Sequence, residues 1–152
     1  MDKSLIKEII IAELKDQKAA LEKAVASARE ATTHADAKQE GKYDTRAIEA
    51  GYIAGAQMER LRILDGRLKA FENLDLAAMR LYKVRDGKKE KRFLVNPLLG
   101  GLTLFENDEN RRINLLERLH PIAKELAEAE VGDEVEVELP NRVVNLTILA
   151  RE

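Results

Sequence analysis

Five charged side chains alternate in sign over a short stretch of the sequence: Asp36, Lys38, Glu40, Lys42 and Asp44. Asp36 and Glu40 are the carboxylates that could hold a cation there. Read on their own, the alternating charges describe a solvated loop whose members pair with one another for little stability, and that reading outranks metal binding. Elsewhere the chemical inventory is thin. No Ser/His/Asp order carries a supporting motif, no glycine-rich loop is suited to phosphates, and two histidines are too few for a metal site. Cysteine is absent, which excludes a disulfide framework, a thiolate metal site and a cysteine nucleophile. A free-standing enzyme is the weakest reading of this chain.

The stretch that holds these charges is positioned by helices. Ile10, Leu14, Gln17, Leu21, Ala24, Ala28 and Ala31 step alternately by four and three, as do Ala47, Ala50, Ala54, Gln57, Leu61, Leu64, Leu68 and Phe71. Both are heptad seams. Folding the chain about residue 39 makes the seams meet, with partner numbers that sum to 78: Ala31 faces Ala47, Ala28 faces Ala50, Ala24 faces Ala54, and Ile10 faces Leu68. The expectation is an antiparallel coiled-coil arm of about 40 Å, thin where alanines face each other near its turn and thick where Leu, Ile and Phe meet. Ser4 is the expected N-cap, the first helix runs to about Thr32, Thr33 to Lys42 form the turn, and Asn73 closes the second helix. Gly51 and Gly55, four residues apart, are read first as close-packing positions against the first helix. The other reading is that they keep one flank free of side chains so that the arm can slide past a partner. A hairpin of this kind is also simply stable.

Length and composition allow one or two small domains. With 26 basic and 28 acidic residues the chain lacks the basic excess of a general nucleic-acid binder. The longest unbroken apolar run near the N-terminus is too short for a signal peptide or a membrane span, so a cytoplasmic protein that does not engage membranes is expected.

Past Leu74 the pattern changes to strand-sized pieces. Ala77 to Val84 and Lys91 to Asn96 read as strands joined at Asp86-Gly87. Leu102 to Phe105 and Ile113 to Glu117 are further strands, and Pro121 to Glu130 has helical composition with proline in its first turn. Glu134 to Leu139 alternates strictly, with Val135, Val137 and Leu139 on one face, and Val143 to Leu149 is the last strand. The fold class is α+β: residues 1–75 an antiparallel coiled-coil hairpin, residues 76–152 a small antiparallel β domain with one helix.

Two runs of residues carry a family resemblance. Ala35-Asp36-Ala37-Lys38-Gln39-Glu40-Gly41-Lys42-Tyr43, followed by Gly51 and Gly55, resembles the tip signature Gly-Asp-x-x-Glu-Asn-x-x-Tyr with its two later glycines in the bacterial Gre transcript-cleavage factors. His120-Pro121-Ile122-Ala123-Lys124-Glu125-Leu126 and Val131-Gly132-Asp133-Glu134-Val135-Glu136-Val137 are similar to that family's Ser-Pro-Ile-x-x-x-Leu and Val-Gly-Asp-x-Val-x-Val. The resemblance implies an FKBP-like C-terminal domain that docks on RNA polymerase and a coiled-coil arm that enters the secondary channel. It implies no cofactor of the chain's own. Two tip acids would help the polymerase hold Mg²⁺ and a water, so that backtracked nascent RNA is cleaved; hard oxygen ligands suit that ion.

Carried over position by position, Asp36 matches the first acid and Gln39 stands where the second is expected, with Glu40 beside it where the family has Asn. Asp36 and Glu40 are therefore the expected tip acids, supported by Lys38, Gln39, Lys42 and Tyr43. His120, Pro121 and Ile122 are the expected partner contact, His120 replacing the family's Ser. The leading expectation is a monomeric accessory factor, itself not an enzyme, that binds RNA polymerase and stimulates or modulates cleavage. A homologue that blocks or regulates the channel without cleaving, and a protein-interaction adaptor gripping through exposed apolar residues, are the alternatives. Prolyl isomerase activity does not follow from an FKBP-like fold, since Trp is absent and the domain's only Phe residues are Phe93 and Phe105.

Overall fold

The computed structural model describes residues 2–38 and 45–152, with side chains for 2–30, 48–49 and 51–152. Two long helices, α1 (Lys3–Lys38) and α2 (Thr45–Glu72), precede six strands and a short helix: β1 (Arg80–Asp86), β2 (Lys89–Asn96), β3 (Thr103–Leu104), β4 (Ile113–Glu117), α3 (Pro121–Glu128), β5 (Glu134–Leu139) and β6 (Arg142–Arg151). The chain divides into two compact units, Glu8–Asn73 and Met1–Lys7 with Leu74–Glu152. The first turn of α1 thus groups with the β-rich unit, where the Lys3 ammonium donates to the carbonyls of Leu76 and Met79 and that of Lys7 to Leu74.

Asp2, not Ser4, caps α1: its Oδ1 accepts the Ser4 N–H at 3.1 Å and its carbonyl accepts that of Ile6. The helix continues beyond the expected end at Thr32 as far as Lys38. Asn73 closes α2 as expected, with both its backbone N–H and its Nδ2 donating to the Lys69 carbonyl.

The helical unit is an antiparallel pair. Lys18 bonds Asp65 at 2.8 Å and the Arg29 guanidinium reaches the Met58 sulfur at 3.0 Å, so residues later in α1 meet residues earlier in α2. On α2 the expected seam holds, with Ala54, Leu68 and Phe71 buried and Gln57, Leu61 and Leu64 half-buried. On α1 Ile10 and Leu14 are buried and Leu21, Ala24 and Ala28 half-buried as expected, but Gln17 is exposed with Lys18 half-buried in its place, and Val25 is buried beside Ala24. The side-chain contacts between the helices depart from the expected register: Lys18 and Asp65 have numbers that sum to 83, and Arg29 and Met58 to 87, not 78. The Ala31–Ala47 and Ala28–Ala50 rungs fall outside the described side chains. Gly51 and Gly55 are not close-packing positions. Both are exposed, and a Cβ added to either would meet nothing within 4 Å among the described residues.

The β-rich unit is one six-stranded sheet in the order β3-β4-β2-β1-β6-β5. It is mixed rather than antiparallel, because β4 lies parallel to β2. Asn96 explains the departure. Pro97 ends β2, and the fully buried Asn96 side chain accepts the N–H groups of Leu98 and Leu99 and donates to the Leu99 carbonyl at 2.7 Å, fixing the chain's exit. β3 then runs antiparallel to β4, which leaves β4 in the direction of β2. The strand expected from Ala77 starts later, because Asp75 caps a 3₁₀ turn over Leu76–Ala78. The β1–β2 hairpin turns through Gly87-Lys88. Only Gly87 has a positive φ, 62°, which suits a type II′ turn.

One buried cluster gathers on the face of the sheet that α3 covers, while Leu81, Leu94 and Leu115, which alternate with it, are buried on the other. Tyr82, Val84, Phe93, Val95, Leu116, Val137, Val144, Leu146 and Ile148 meet Ile122, Ala123 and Leu126 from α3. β5 shows the expected alternation, Val137 buried with Val135 and Leu139 packed beside it, and Glu134, Glu136 and Glu138 exposed. β2 buries Phe93, Leu94 and Val95 in succession, as a central strand covered on both faces does.

Candidate functional site

The start of α3 brings His120, Pro121 and Ile122 together. His120 is the N-cap, its Nδ1 accepting the Ile122 N–H at 3.2 Å, and Pro121 follows at the first helical position, where a missing N–H costs nothing. Their exposures differ: Pro121 is exposed, His120 half-buried, and Ile122 buried in the core. Ile122 thus holds the helix down while Pro121 and His120 face outward. His120 caps the helix as a serine would, since an imidazole nitrogen accepts as a hydroxyl oxygen does.

Beside this corner lies an open groove of about 880 Å³, lined by His120 and Ile122 among others. Its floor includes Phe93, Leu116, Leu139, Val144 and Leu146, and its rim carries Lys89, Arg92, Arg112 and Arg142 with one exposed carboxylate, Glu109, among them. Lys91 is tied to Asp86 at 2.5 Å. Glu90 is drawn away to Lys83 at 2.7 Å, and that bond holds its carboxyl below the ordinary carboxylate range. Arg92 donates to the Asn110 carbonyl and Arg112 to that of Glu106, so both are tethered without losing charge. An apolar floor under a cationic rim suits a protein segment that presents apolar and acidic side chains together. The sequence reading missed these rim residues because each looks like an ordinary solvated strand end; only the sheet order joins the β1–β2 hairpin, the segment before β4 and the start of β6.

The Val131-Gly132-Asp133 run proves to be architectural. Gly132 has φ +98° and donates to the Ile148 carbonyl, the Ile148 N–H returns to Asp133, and the Asp133 carboxylate accepts the Glu130 N–H. The turn clips α3's exit to the middle of β6.

Of the expected tip residues, Asp36 and Lys38 lie in the final turn of α1, with side chains outside the described set. Gln39, Glu40, Lys42 and Tyr43 lie outside the described residues altogether. Among the described residues no group of three His, Asp or Glu side chains could hold a metal, and no helix is long and apolar enough to cross a membrane. The hairpin contributes one feature that the sequence reading did not anticipate: Ile48, Tyr52 and Ile53 on α2 are large, apolar and exposed, Tyr52 to 77%.

No family model matches the sequence, and no curated protein does. Among solved structures, GreA factor homolog 1 (Gfh1) of Thermus thermophilus aligns with 93% of this chain and 94% of its own, at 12% identity and a TM-score of 0.37. Gfh1 of Thermus aquaticus aligns over 93% of this chain and 92% of its own, at 14% identity and a TM-score of 0.38. A further structure of the transcription factor Gfh1 covers the same shares at 12% identity and a TM-score of 0.37. All three of these structures are of Gfh1, named in the first as GreA factor homolog 1.

Proposed function

We propose that this chain is a Gre-like transcription elongation factor, which binds RNA polymerase and inserts the junction of its two long helices into the secondary channel to stimulate or modulate cleavage of backtracked RNA. The observation that carries this reading is where the motif falls. Asp36 lies in the last helical turn of α1 and α2 begins at Thr45, so the run from Asp36 to Tyr43 occupies the connection between two antiparallel helices. That is where a channel-entering arm must carry its chemistry. The open flank at Gly51 and Gly55 supports it, since an arm that slides through a narrow pore gains from a face without side chains.

In this reading the groove beside His120 docks on an apolar, acidic segment of the polymerase, and Asp36 supplies a carboxylate toward the polymerase's Mg²⁺. The chain holds no cofactor and is not itself an enzyme. Gln39, at the second acid position, favours one variant of the reading: occupancy of the channel that regulates the polymerase with little cleavage, because a neutral amide is a poor ligand for a hard cation. The test is a pull-down with core polymerase followed by a cleavage assay on a stalled complex. Binding with cleavage supports the cleaving form and binding without it the regulatory form. Absence of binding rejects both and leaves the exposed Ile48, Tyr52 and Ile53 as the grip of an adaptor.

A further inference from the structure

We propose that a second pocket, at the end of the sheet where β1 begins and β6 ends, binds a small organic phosphate of the nucleoside di- or triphosphate class through Arg80, Arg118 and Arg151. The pocket has a volume of about 410 Å³, within the range of small-molecule sites. Arg80 opens β1 and Arg151 closes β6, its antiparallel neighbour; Arg151 stands directly opposite Tyr82. Cross-strand partners share a face, and residues two apart on a strand do so as well, so Arg80, Tyr82 and Arg151 project from the side that carries α3. Arg118 arrives from the end of β4.

Two of the three guanidiniums are held by backbone carbonyls, and neither bond neutralises them. Arg118 donates to the Ala78 carbonyl at 3.3 Å and Arg151 to that of Ala129 at 3.4 Å. No carboxylate lines the pocket. No ion pair found among the described residues involves any of the three. Arg80, Arg118 and Arg151 are exposed and line one cavity, an arrangement of like charges that an anion would relieve in a chain whose net charge is −2. Guanidinium forks match phosphate oxygens in pairs, which makes phosphate the fitting anion.

The rest of the wall says what the phosphate is attached to. Ala77, Ala78, Ala123 and Ala127 are small, and with Tyr82 and Val95 they leave uncharged space beside the cations. That space suits a sugar and base, and it is more than a bare phosphate needs. A polynucleotide would instead call for cations strung along a track, and these three line a single cavity.

Titration calorimetry on the full chain at physiological salt would use ATP, ADP, AMP, inorganic phosphate and a twelve-nucleotide single strand as probes. Saturable binding is expected for ADP and ATP, weaker for AMP and weakest for inorganic phosphate. Arg80→Ala and Arg151→Ala should each weaken ADP binding about tenfold or more, the loss that follows removal of a charge-assisted hydrogen-bond donor. Should either variant misfold, the amide shifts of Ala78, Ala123 and Ala127 in the parent protein provide the second readout, and they should move on adding ADP. The proposal is overturned by no saturable binding at millimolar nucleotide, by amide shifts confined to other segments, by affinities that both substitutions leave unchanged, by inorganic phosphate binding as tightly as ADP, or by the single strand outcompeting ATP. The assay contains no polymerase, so its result stands apart from the channel reading.

Discussion

Lys18 occupies a seam position that a heptad gives to apolar side chains, and Asp65 is what makes it tolerable. The two sit 2.8 Å apart, each about a third exposed, and Asp65 also receives Lys69 at 2.9 Å. The hydrogen bond from Lys18, then that from Lys69, lowers the Asp65 carboxyl below its ordinary value, and the same bond raises the Lys18 ammonium. A lowered carboxyl stabilises the fold above its unfolded pKa and ceases to do so as pH falls through the folded one. A raised ammonium stabilises below its unfolded pKa and fails as pH rises through the folded one. Asp65→Asn should therefore lower the melting midpoint of the helical signal at neutral pH, and the gap from the parent should close below about pH 4. An undiminished gap at pH 3, by circular dichroism, would contradict the role given to this pair. If the channel reading holds, Asp36→Ala should cut any cleavage about tenfold or more and spare polymerase binding, because it would remove a carboxylate from the helix junction and not a docking surface. On the same reading Gln39→Glu should raise cleavage by adding a second carboxylate. An Asp36→Ala protein that cleaves like the parent removes the metal role.

The elements differ in how openly they are written. β4 and β5 read residue for residue, because Ile113–Glu117 and Glu134–Leu139 are bounded by turn residues and β5 alternates without a break. The α2 seam read correctly because its residues fall at regular heptad steps, even though Ile48, Tyr52 and Ile53 stand exposed beside it. The α1 seam read correctly at Ile10, Leu14, Leu21, Ala24 and Ala28 but not at Gln17, whose place Lys18 takes, and it missed the buried Val25. The parallel β2–β4 pair was hidden altogether, because it depends on a buried Asn96 whose hydrogen bonds are to its own exit loop. The tip acids were legible as a motif alone, and the cationic groove rim not at all. α3 belongs with the legible elements: Ile122, Ala123 and Leu126 form its inward stripe. Leu126 is 0% exposed within the sheet core, so Leu126→Ala should cost about 2–5 kcal/mol, read as a lower urea midpoint for the β-rich unit. A loss near zero would mean that α3 does not hold the groove's corner in place.

The molecule divides its work between two units that share one chain. The β-rich unit carries the groove and its own core, and the helical unit carries the connection from Asp36 to Tyr43. If the groove docks and the helix junction acts, the two activities separate cleanly. Replacing residues 33–42 by a flexible Gly-Ser linker of equal length keeps the helices joined at modest entropic cost. It should leave polymerase binding within about threefold of the parent, since no groove residue is changed, and it should abolish cleavage and channel occupancy. The complementary change, Lys89→Glu with Arg142→Glu, reverses two exposed charges on the groove rim. It should weaken binding about tenfold or more through like-charge juxtaposition while the melting of the helical signal stays put. Two outcomes would defeat this division: a linker variant that no longer binds, which would place docking on the arm, and a rim variant that binds like the parent, which would move the docking surface away from the groove.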